Sequence, residues 1–336
     1  MHRVIWAGVD IGGTKTAIVL SSNPPEVLCR TEFATLPARG PAPAMDQIVT
    51  TLHQMLSEIG ATSSSLLGIG VSCGGPLDPH RGVIQAPPNL PTWIDVPIVE
   101  ILAQEFGCCV RLENDANAGA IAEHRYGAGK GTHDMVFLTM GTGLGAGIII
   151  QDKLYRGASE MAGEIGHVRL TQKGPVGYNK AGSVEGWASG GGMAQLAANV
   201  LKDARKRGYK SLLLEMQEGR SITAKDVGQA AEKGDAVARR IITLCGRKLG
   251  LALAILVDIL NPERIVIGGL AMRLGETLLG PARKSMQKEA LRQTSSVCTI
   301  VPAALGESIG DTAALCVAMG ADFPVNPRPE QETISA

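Results

Sequence analysis

The 336-residue sequence has no net charge, few aromatic residues and no long apolar segment. Its 32 Lys and Arg balance 32 Asp and Glu, so the composition provides no overall field that attracts nucleic acid or an anionic membrane surface. No uninterrupted apolar run approaches the roughly 18–20 residues of a membrane-spanning helix. A strand-like segment starts within the first six residues, without a cleavable signal pattern before it. We therefore expect a soluble, cytoplasmic protein that binds neither nucleic acid nor membranes.

The seven cysteines lack the paired, regular spacing of a disulfide framework or a zinc ribbon. Free thiols in a reducing compartment are the simpler interpretation. With 45% hydrophobic and 19% charged residues, the chain can bury a substantial core, so the composition predicts a folded protein and not a globally disordered one.

Apolar runs rich in β-branched residues alternate with segments of helical periodicity, which predicts an α/β fold. The predicted strands are Val4–Val9, Ala17–Leu20, Leu67–Val71, Cys109–Leu112, Met135–Met140, Ala146–Ile150 and Arg264–Ile267. The predicted helices are Asp46–Ile59, Ala116–Tyr126, Gly191–Arg205, Asp235–Leu256 and Gly310–Met319.

An internal similarity indicates a duplicated fold. Residues 5–20 contain an apolar strand, the turn Asp10–Lys15 and a second apolar strand, and residues 135–150 repeat this order around Gly141–Gly145. The copies begin 130 residues apart, which exceeds the ~20–50-residue period of a solenoid. We expect a lobe boundary near Ala116–Ala128 and a last helix that packs back on the first lobe. The predicted parts are 1–116 with about 305–322 as the small lobe, 117–304 as the larger lobe and 323–336 as a flexible tail.

The first turn has a composition suited to phosphate. Gly12, Gly13, Thr14 and Lys15 offer backbone N–H groups, a hydroxyl and an ammonium, although the spacing of a P-loop is absent. Asp10 ends an apolar strand, where Mg²⁺ bound through water is a natural partner for its carboxylate. An ordinary hairpin turn explains the same residues equally well.

The second turn, Gly141-Thr142-Gly143-Leu144-Gly145, has a similar composition without the charged residues. Alone it is weak support for a ligand site. Two such turns in a duplicated fold could face each other and hold a polyphosphate, which favours nucleotide binding.

A strand-to-helix junction at Leu112–Ala116 carries Glu113, Asn114 and Asp115. In one interpretation Asn114 or Asp115 is only a helix N-cap. In the other, Asp115 is a general base that takes a proton from an acceptor hydroxyl, and Asn114 orients that hydroxyl. The sequence leaves both open.

Four more polar residues suit hydrogen bonding to sugar hydroxyls: Asn89 in a proline-rich loop, Glu164 and His167 three residues apart, and Glu185 in a glycine-rich stretch. A lone His is more often a satisfied core residue, and Glu164 alone could be a surface charge. Their spacing does not decide between these interpretations.

Taken together, six ordered motifs resemble the ROK family (repressors, open reading frames and sugar kinases) of the actin-like ATPase superfamily. The resemblance extends from about Val4 to Gly320. The motifs are Gly8–Lys15, Pro88–Trp93, Leu112–Asn117, Gly141–Gly145, Ala162–His167 and Ile267–Gly269.

The resemblance implies an α/β, duplicated actin-like (ribonuclease H-like) two-lobe fold with a central cleft that binds ATP with Mg²⁺ and a hexose. Asp115 would be the catalytic base, and Asp10 would help to place Mg²⁺ through water. The implied sugar-binding residues are Gly75, Asn89, Asn114, Asp115, Glu164, His167 and Glu185. The implied nucleotide-binding residues are Asp10, Gly12, Gly13, Thr14, Lys15, Gly141, Thr142 and Gly143, with Gly268 and Gly269 near the adenosine.

The sequence departs from the family pattern in two places. Many family members have a structural zinc site formed by one His and three Cys. In this sequence the three Cys are replaced by Val176, Tyr178 and Ser183, which cannot supply thiolates. We therefore predict no zinc at this site, with His167 kept for the sugar. The first phosphate motif begins at Gly8, without the helix-turn-helix segment that precedes it in the family's repressors, which disfavours DNA binding.

We expect an ATP-dependent kinase for a hexose hydroxyl, the 6-hydroxyl of glucose or of a close relative. Fructose, mannose, N-acetylglucosamine and N-acetylmannosamine are alternative substrates taken by relatives. A non-catalytic sugar sensor is a rival of another class, and a polymerising actin-like protein would leave Glu164, His167 and Glu185 unexplained. A homodimer is expected from the resemblance only.

Overall fold

A computed structural model describes residues 4–217 and 219–320. The tail predicted over 323–336 lies outside the described residues. By internal contacts the chain divides into two compact units, one formed by residues up to Glu113 together with those from Asp311, the other by Asn114–Gly310. None of the helices described reaches the length and apolarity required to cross a membrane.

The strands are, in chain order, β1 (Ile5–Ile11), β2 (Lys15–Ser21), β3 (Cys29–Ala34), β4 (Leu66–Cys73), β5 (Leu77–Asp78), β6 (Val83–Ile84), β7 (Cys109–Asn114), β8 (Met135–Met140), β9 (Leu144–Ile150), β10 (Lys153–Tyr155), β11 (Val176–Gly177), β12 (Lys180–Ala181), β13 (Arg264–Ile267) and β14 (Thr299–Pro302).

The α-helices are α1 (Pro41–Glu58), α2 (Ile98–Phe106), α3 (Asp115–Tyr126), α4 (Val184–Ala188), α5 (Gly190–Lys206), α6 (Leu212–Met216), α7 (Ala224–Glu232), α8 (Ala236–Leu260), α9 (Leu270–Leu274), α10 (Glu276–Glu289), α11 (Arg292–Ser295) and α12 (Ile309–Met319).

The first unit is built on a sheet in the order β3-β2-β1-β4-β7, in which β1 is antiparallel to β2 and parallel to β4. Apolar side chains of α1 and α2, among them Ile48, Leu52 and Leu102, are fully buried in one cluster with the strands. Helix α12 approaches the sheet closely at Gly70, where an added Cβ would collide with the backbone of Ala314 and Ala318. The glycine therefore allows the helix to lie directly on the strand.

The second unit repeats this arrangement in the order β10-β9-β8-β13-β14, with β8 antiparallel to β9 and parallel to β13. The repeated strand order confirms the duplication expected from the two hairpins. Helix α3 lies on β9 at Gly147, where a Cβ would collide with the carbonyl of Ala116. Because the first turn of α3 packs on the second sheet, the division falls between Glu113 and Asn114, and at the far end between Gly310 and Asp311. These positions differ by three and six residues from the lobe limits expected from the sequence.

Candidate active site

The turn between β1 and β2 is held by a neighbouring threonine. The N–H of Gly12 donates to the carbonyl of Lys15 (2.9 Å), and the Thr35 hydroxyl donates to the carbonyl of Gly12 (2.7 Å). The Thr35 N–H donates to the carbonyl of Thr14 (3.1 Å), so the residue after β3 fixes both ends of the turn. Asp10 lies half-buried near the end of β1, next to this turn.

The Lys15 side chain belongs to a charged network on β3. Its ammonium lies 3.1 Å from the Glu32 carboxylate, which also accepts from Arg30 at 2.8 Å. Hydrogen bonds from Arg30 and Lys15 lower the pKa of Glu32. Arg30 in turn binds Asp311 at 2.8 Å. A phosphate group bound at this turn would compete with Glu32 for the Lys15 ammonium.

Asn89 lies beside the same turn. It is exposed in a short loop that is closed by a hydrogen bond from the Ala86 N–H to the carbonyl of Trp93 (2.7 Å), and the Trp93 side chain is fully buried. A Cβ added at Gly13 would lie 2.7 Å from the Cβ of Asn89, so the two backbones are in close contact. Gly75, half-buried just after β4, follows Gly74, whose added Cβ would lie 3.7 Å from the Asn89 amide oxygen. The first unit thus brings its predicted phosphate and sugar residues together.

The strand-to-helix junction at the start of α3 confirms the N-cap interpretation for Asn114, while the role of Asp115 as a general base stays a prediction. Asn114 is the N-cap, because its Oδ1 accepts from the Ala116 N–H at 2.9 Å. The Oδ1 of Asp115 accepts from the same amide at 2.8 Å. Asp115 keeps solvent access, yet protein atoms surround it, and the lost hydration raises the pKa of its carboxyl. The amides of Ala116 and of Asp115 itself oppose this shift without cancelling it.

Glu164, His167 and Glu185 gather around the start of β9. The Glu185 carboxylate accepts from the Leu144 N–H at 3.1 Å, and His167 Nε2 lies 3.9 Å from the Glu164 carboxylate. Loss of hydration raises the pKa of Glu164; the nearby His167 opposes this shift, while Glu185 and Asp115 add to it. The four titratable candidates of the second unit therefore lie close enough to affect one another. Their spacing in the sequence did not reveal this proximity.

The turn Gly141–Gly143 rests on the first turn of α5. The N–H groups of Gly190 and Gly191 donate to the carbonyls of Gly141 (2.8 Å) and Thr142 (3.1 Å). Gly141 and Thr142 are exposed at the end of β8, and a Cβ at Gly143 would lie 2.8 Å from the Glu185 carboxylate oxygen. The predicted phosphate turn thus lies directly against a predicted sugar-binding carboxylate.

Gly268 and Gly269 follow β13 beside this turn. The Gly268 N–H donates to the carbonyl of Leu138 on β8 (2.9 Å). Gly269 has φ = 65° and a Cβ there would collide with the carbonyl of Met140, so only glycine fits this position without strain. Gly269 lies next to Gly141, because its added Cβ would lie 3.5 Å from the Gly141 nitrogen. That Gly268 and Gly269 lie near an adenosine stays a prediction.

Three residues near the candidate site were missed by sequence reasoning. Glu32 belongs to β3 and Thr35 directly follows it; this strand was not predicted, because it is largely exposed and lacks an apolar pattern. Tyr178, considered only as a replaced zinc ligand, packs its ring edge-on against His167 with centroids 4.7 Å apart. Among the residues described, no group of three or more His, Cys, Asp or Glu side chains is placed to hold a metal ion.

The second unit groups a carboxylate of raised pKa, further carboxylates, an imidazole and one glycine-rich turn, and the first unit carries the other glycine-rich turn beside Asn89. The ROK family model matches residues 6–320, so the chain belongs to the ROK family, and its two similar α/β units form the duplicated actin-like fold of that family.

Among its relatives, the glucokinase of Halalkalibacterium halodurans is 34% identical over 307 residues, covering 91% of this chain and 92% of the relative. The xylose repressor of Caldicellulosiruptor bescii is 32% identical over 285 residues, covering 84% of this chain and 70% of the relative. The crystal structure of a ROK family glucokinase from Streptomyces griseus in complex with glucose and AMPPNP superposes with a TM-score of 0.77 at 32% identity, covering 94% of this chain and 99% of that one.

Proposed function

We propose that this protein is an ATP-dependent sugar kinase that transfers the γ-phosphoryl group to a hydroxyl of a hexose, the 6-hydroxyl of glucose or of a closely related sugar. The observation that carries the proposal is the grouping of Asp115, Glu164, His167 and Glu185 in a chain 34% identical to a glucokinase. The glucose-bound relative of known structure, with its ATP analogue, supports both substrate classes.

In this proposal Asp115 accepts the proton of the attacking hydroxyl. Loss of hydration raises the pKa of the Asp115 carboxyl, so its carboxylate is a stronger base than that of an ordinary Asp. A loose transition state requires little proton removal, so this strength is sufficient. The residues proposed to orient the sugar are Gly75, Asn89, Asn114, Glu164, His167 and Glu185.

The nucleotide is proposed to use the two turns. Gly12–Lys15 and Gly141–Gly143 would contact phosphates through N–H groups and side chains, and Gly268 and Gly269 would lie near the adenosine. Lys15 would exchange its Glu32 partner for a phosphate oxygen. Both turns are exposed or half-buried, which leaves them accessible to a ligand.

Mg²⁺ is the proposed metal. The half-buried Asp10 carboxylate fits it, because Mg²⁺ in nucleotide sites is held by one or two carboxylates together with phosphates and water. When bound, Mg²⁺ neutralises negative charge on the transferring phosphate. We also propose that the protein holds no structural zinc, on the basis of the loop composition, and that it forms a homodimer, on the basis of the family resemblance. A cytoplasmic location without nucleic-acid or membrane partners is proposed from the balanced charge.

An ADP-release assay over a panel of sugars tests the proposal. Glucose should give the highest kcat/KM, with fructose, mannose, N-acetylglucosamine and N-acetylmannosamine slower, and xylose, which lacks a 6-hydroxyl, inactive as acceptor. If another hexose gives the highest kcat/KM, the proposed substrate is wrong but the proposed reaction stands.

A second candidate is a non-catalytic sugar-sensing regulator, which the 32% identity to a xylose repressor favours. This candidate predicts sugar binding without sugar-dependent ADP release. Measuring binding of each sugar by calorimetry beside the ADP assay separates the two functions.

A further inference from the structure

The loop between His167 and α4 forms a small two-stranded unit, here called the clamp hairpin and defined as residues 168–183. We propose that the clamp hairpin holds His167 and Glu185 in sugar-binding positions without a metal, and that Tyr178 and Lys180 are positioning residues for His167. This inference rests on the proposed function, because it concerns how two of the proposed sugar ligands are oriented.

Both the ring and the backbone of His167 are held by the tip of the hairpin. The Tyr178 ring meets the imidazole edge-on, with centroids 4.7 Å apart and an interplanar angle of 65°. The Lys180 ammonium donates to the carbonyl of His167 at 2.8 Å. These two contacts restrain the side chain and the main chain of the same residue. The His167 side chain is about two-fifths exposed, so part of it remains accessible to a ligand.

The tip has a conformation that directs these side chains. Strands β11 and β12 pair Gly177 with Lys180, which leaves Tyr178 and Asn179 as a two-residue turn with φ of 43° and 61°. Positive φ at both positions is the geometry of a type I′ turn, which Asn tolerates and Tyr seldom adopts. A bulky residue persists in such a conformation when its surroundings hold it there. The contact with His167 is one such restraint.

The base of the hairpin is fixed to α5 by an amide. Gln195 accepts from the Val176 N–H and donates to the Val176 carbonyl, both at 2.8 Å. Val176 stands at the first of the three replaced cysteine positions, so a pair of backbone hydrogen bonds anchors the chain where a thiolate would otherwise bind zinc.

At the third replaced position, Ser183 links the hairpin to Glu185. Its buried hydroxyl accepts from the Gly186 N–H (3.1 Å) as N-cap of α4 and donates to the Gly177 carbonyl at 3.4 Å. The carboxylate of Glu185, on the first turn of that helix, then accepts from Leu144. A single hydroxyl therefore couples the hairpin to the helix that presents the second sugar ligand.

The far side of the hairpin is fixed by Trp187. Its Nε1 donates to the Thr171 hydroxyl at 2.8 Å. The ammonium of Lys248, a residue of α8, lies 5.1 Å from the centroid of the Trp187 ring. Each replaced cysteine position thus has a local, non-metal contact, and together these contacts perform the structural task of a bound ion.

The test compares Tyr178→Ala, Tyr178→Phe and Lys180→Ala with matched surface controls, Tyr209→Ala and Lys233→Ala, which change exposed side chains of the same types. Glucose affinity is measured by calorimetry without nucleotide, before and after treatment with a zinc chelator. Loss of one aromatic contact should weaken glucose binding about two- to tenfold in Tyr178→Ala. Lys180→Ala should weaken it by a similar factor, since a charged hydrogen bond to the His167 carbonyl is lost.

Tyr178→Phe should keep wild-type affinity, because the edge contact needs the ring and not the hydroxyl. In the two weakened variants KM for the sugar should rise while KM for ATP and kcat at saturating sugar stay within about twofold, since neither the turns nor Asp115 is altered. The two control substitutions and the chelator should leave glucose affinity, KM and kcat unchanged. The imidazole signals of His167 in histidine-labelled, sugar-free protein should shift in Tyr178→Ala and return in Tyr178→Phe.

The outcomes separate the two proposals. Equal glucose affinity in wild type and Tyr178→Ala, or loss of glucose affinity on chelation, overturns the proposed positioning role of the clamp hairpin and leaves the kinase proposal intact. Wild-type protein that binds none of the sugars overturns the proposed function, and the hairpin's role with it. A general loss of kcat in all the hairpin variants would indicate a merely structural loop and would contradict the positioning role.

Discussion

Replacing Asp115 with Asn removes the proposed base while keeping the local structure. The Asn amide oxygen can still accept from the Ala116 N–H, which the Asp carboxylate does at 2.8 Å, and Asn114 continues to cap the helix. Folding should therefore be retained. A positioned general base contributes typically about 10²–10⁴-fold, which corresponds to about 3–5 kcal/mol of activation free energy. We expect kcat to fall by that factor, while sugar affinity changes less than about fivefold because a hydrogen-bonding group of the same size remains.

The assay is coupled ADP release at saturating glucose and ATP, with glucose affinity measured separately by calorimetry. The matched control is Asp46→Asn, the same change at an exposed carboxylate on α1, which should leave kcat and affinity unaltered. A kcat of Asp115→Asn within about threefold of wild type would remove this residue from the chemistry. A large loss of sugar affinity with normal kcat would instead make it a binding residue.

Three further predictions concern packing, pH and stability. Gly143→Ala should raise the sugar Kd more than Gly141→Ala, because its Cβ would lie 2.8 Å from the Glu185 carboxylate whereas a Cβ at Gly141 meets nothing within 4 Å; calorimetry showing equal effects would contradict this. The kcat/KM profile should lose activity as pH falls through the raised pKa of Asp115, so its acid limb should lie above the ordinary Asp value of about 3.9, and a limb at or below that pH would be inconsistent. Asp226→Ala should lower the free energy of unfolding by about 1–2 kcal/mol at pH 7, measured by denaturant titration, because the ion pair with Arg220 (2.8 Å) and the capping hydrogen bonds from Thr223, which lower the Asp226 pKa, are lost. Since that pKa is lowered on folding, the contribution is full above the unfolded value of about 3.9 and disappears as pH falls below it; a difference that grows at low pH would refute the sign.

The strands and helices with strong apolar patterns could be predicted from the sequence. Met135–Met140 and Arg264–Ile267 match β8 and β13 at both ends, and α8 ends at Leu260, where Asn261 adopts a left-handed conformation before a proline. Weakly patterned elements could not be predicted. β3 is largely exposed, and α10 carries Pro281 in its interior, which ordinarily indicates the end of a helix.

The candidate site was only partly predictable, because it depends on proximity between distant segments. Asp115 and the two turns carry local signals of a junction and of glycine-rich loops. Nothing in the spacing of Glu164, His167 and Glu185 shows that they lie together, and only the family resemblance suggested it. The pairing of Lys15 with Glu32 and the contact of Tyr178 with His167 arise from the folding of β3 and the clamp hairpin, which have no local signature.

The central claim, phosphoryl transfer from ATP to a hexose, is most directly tested by phosphorus NMR of the purified protein with ATP, Mg²⁺ and glucose. A sugar phosphomonoester signal, coupled to the protons on carbon 6, should grow at the same rate as ADP. Formation of ADP with inorganic phosphate alone, or no turnover with any hexose of the panel while the folded protein binds ATP, would contradict the account.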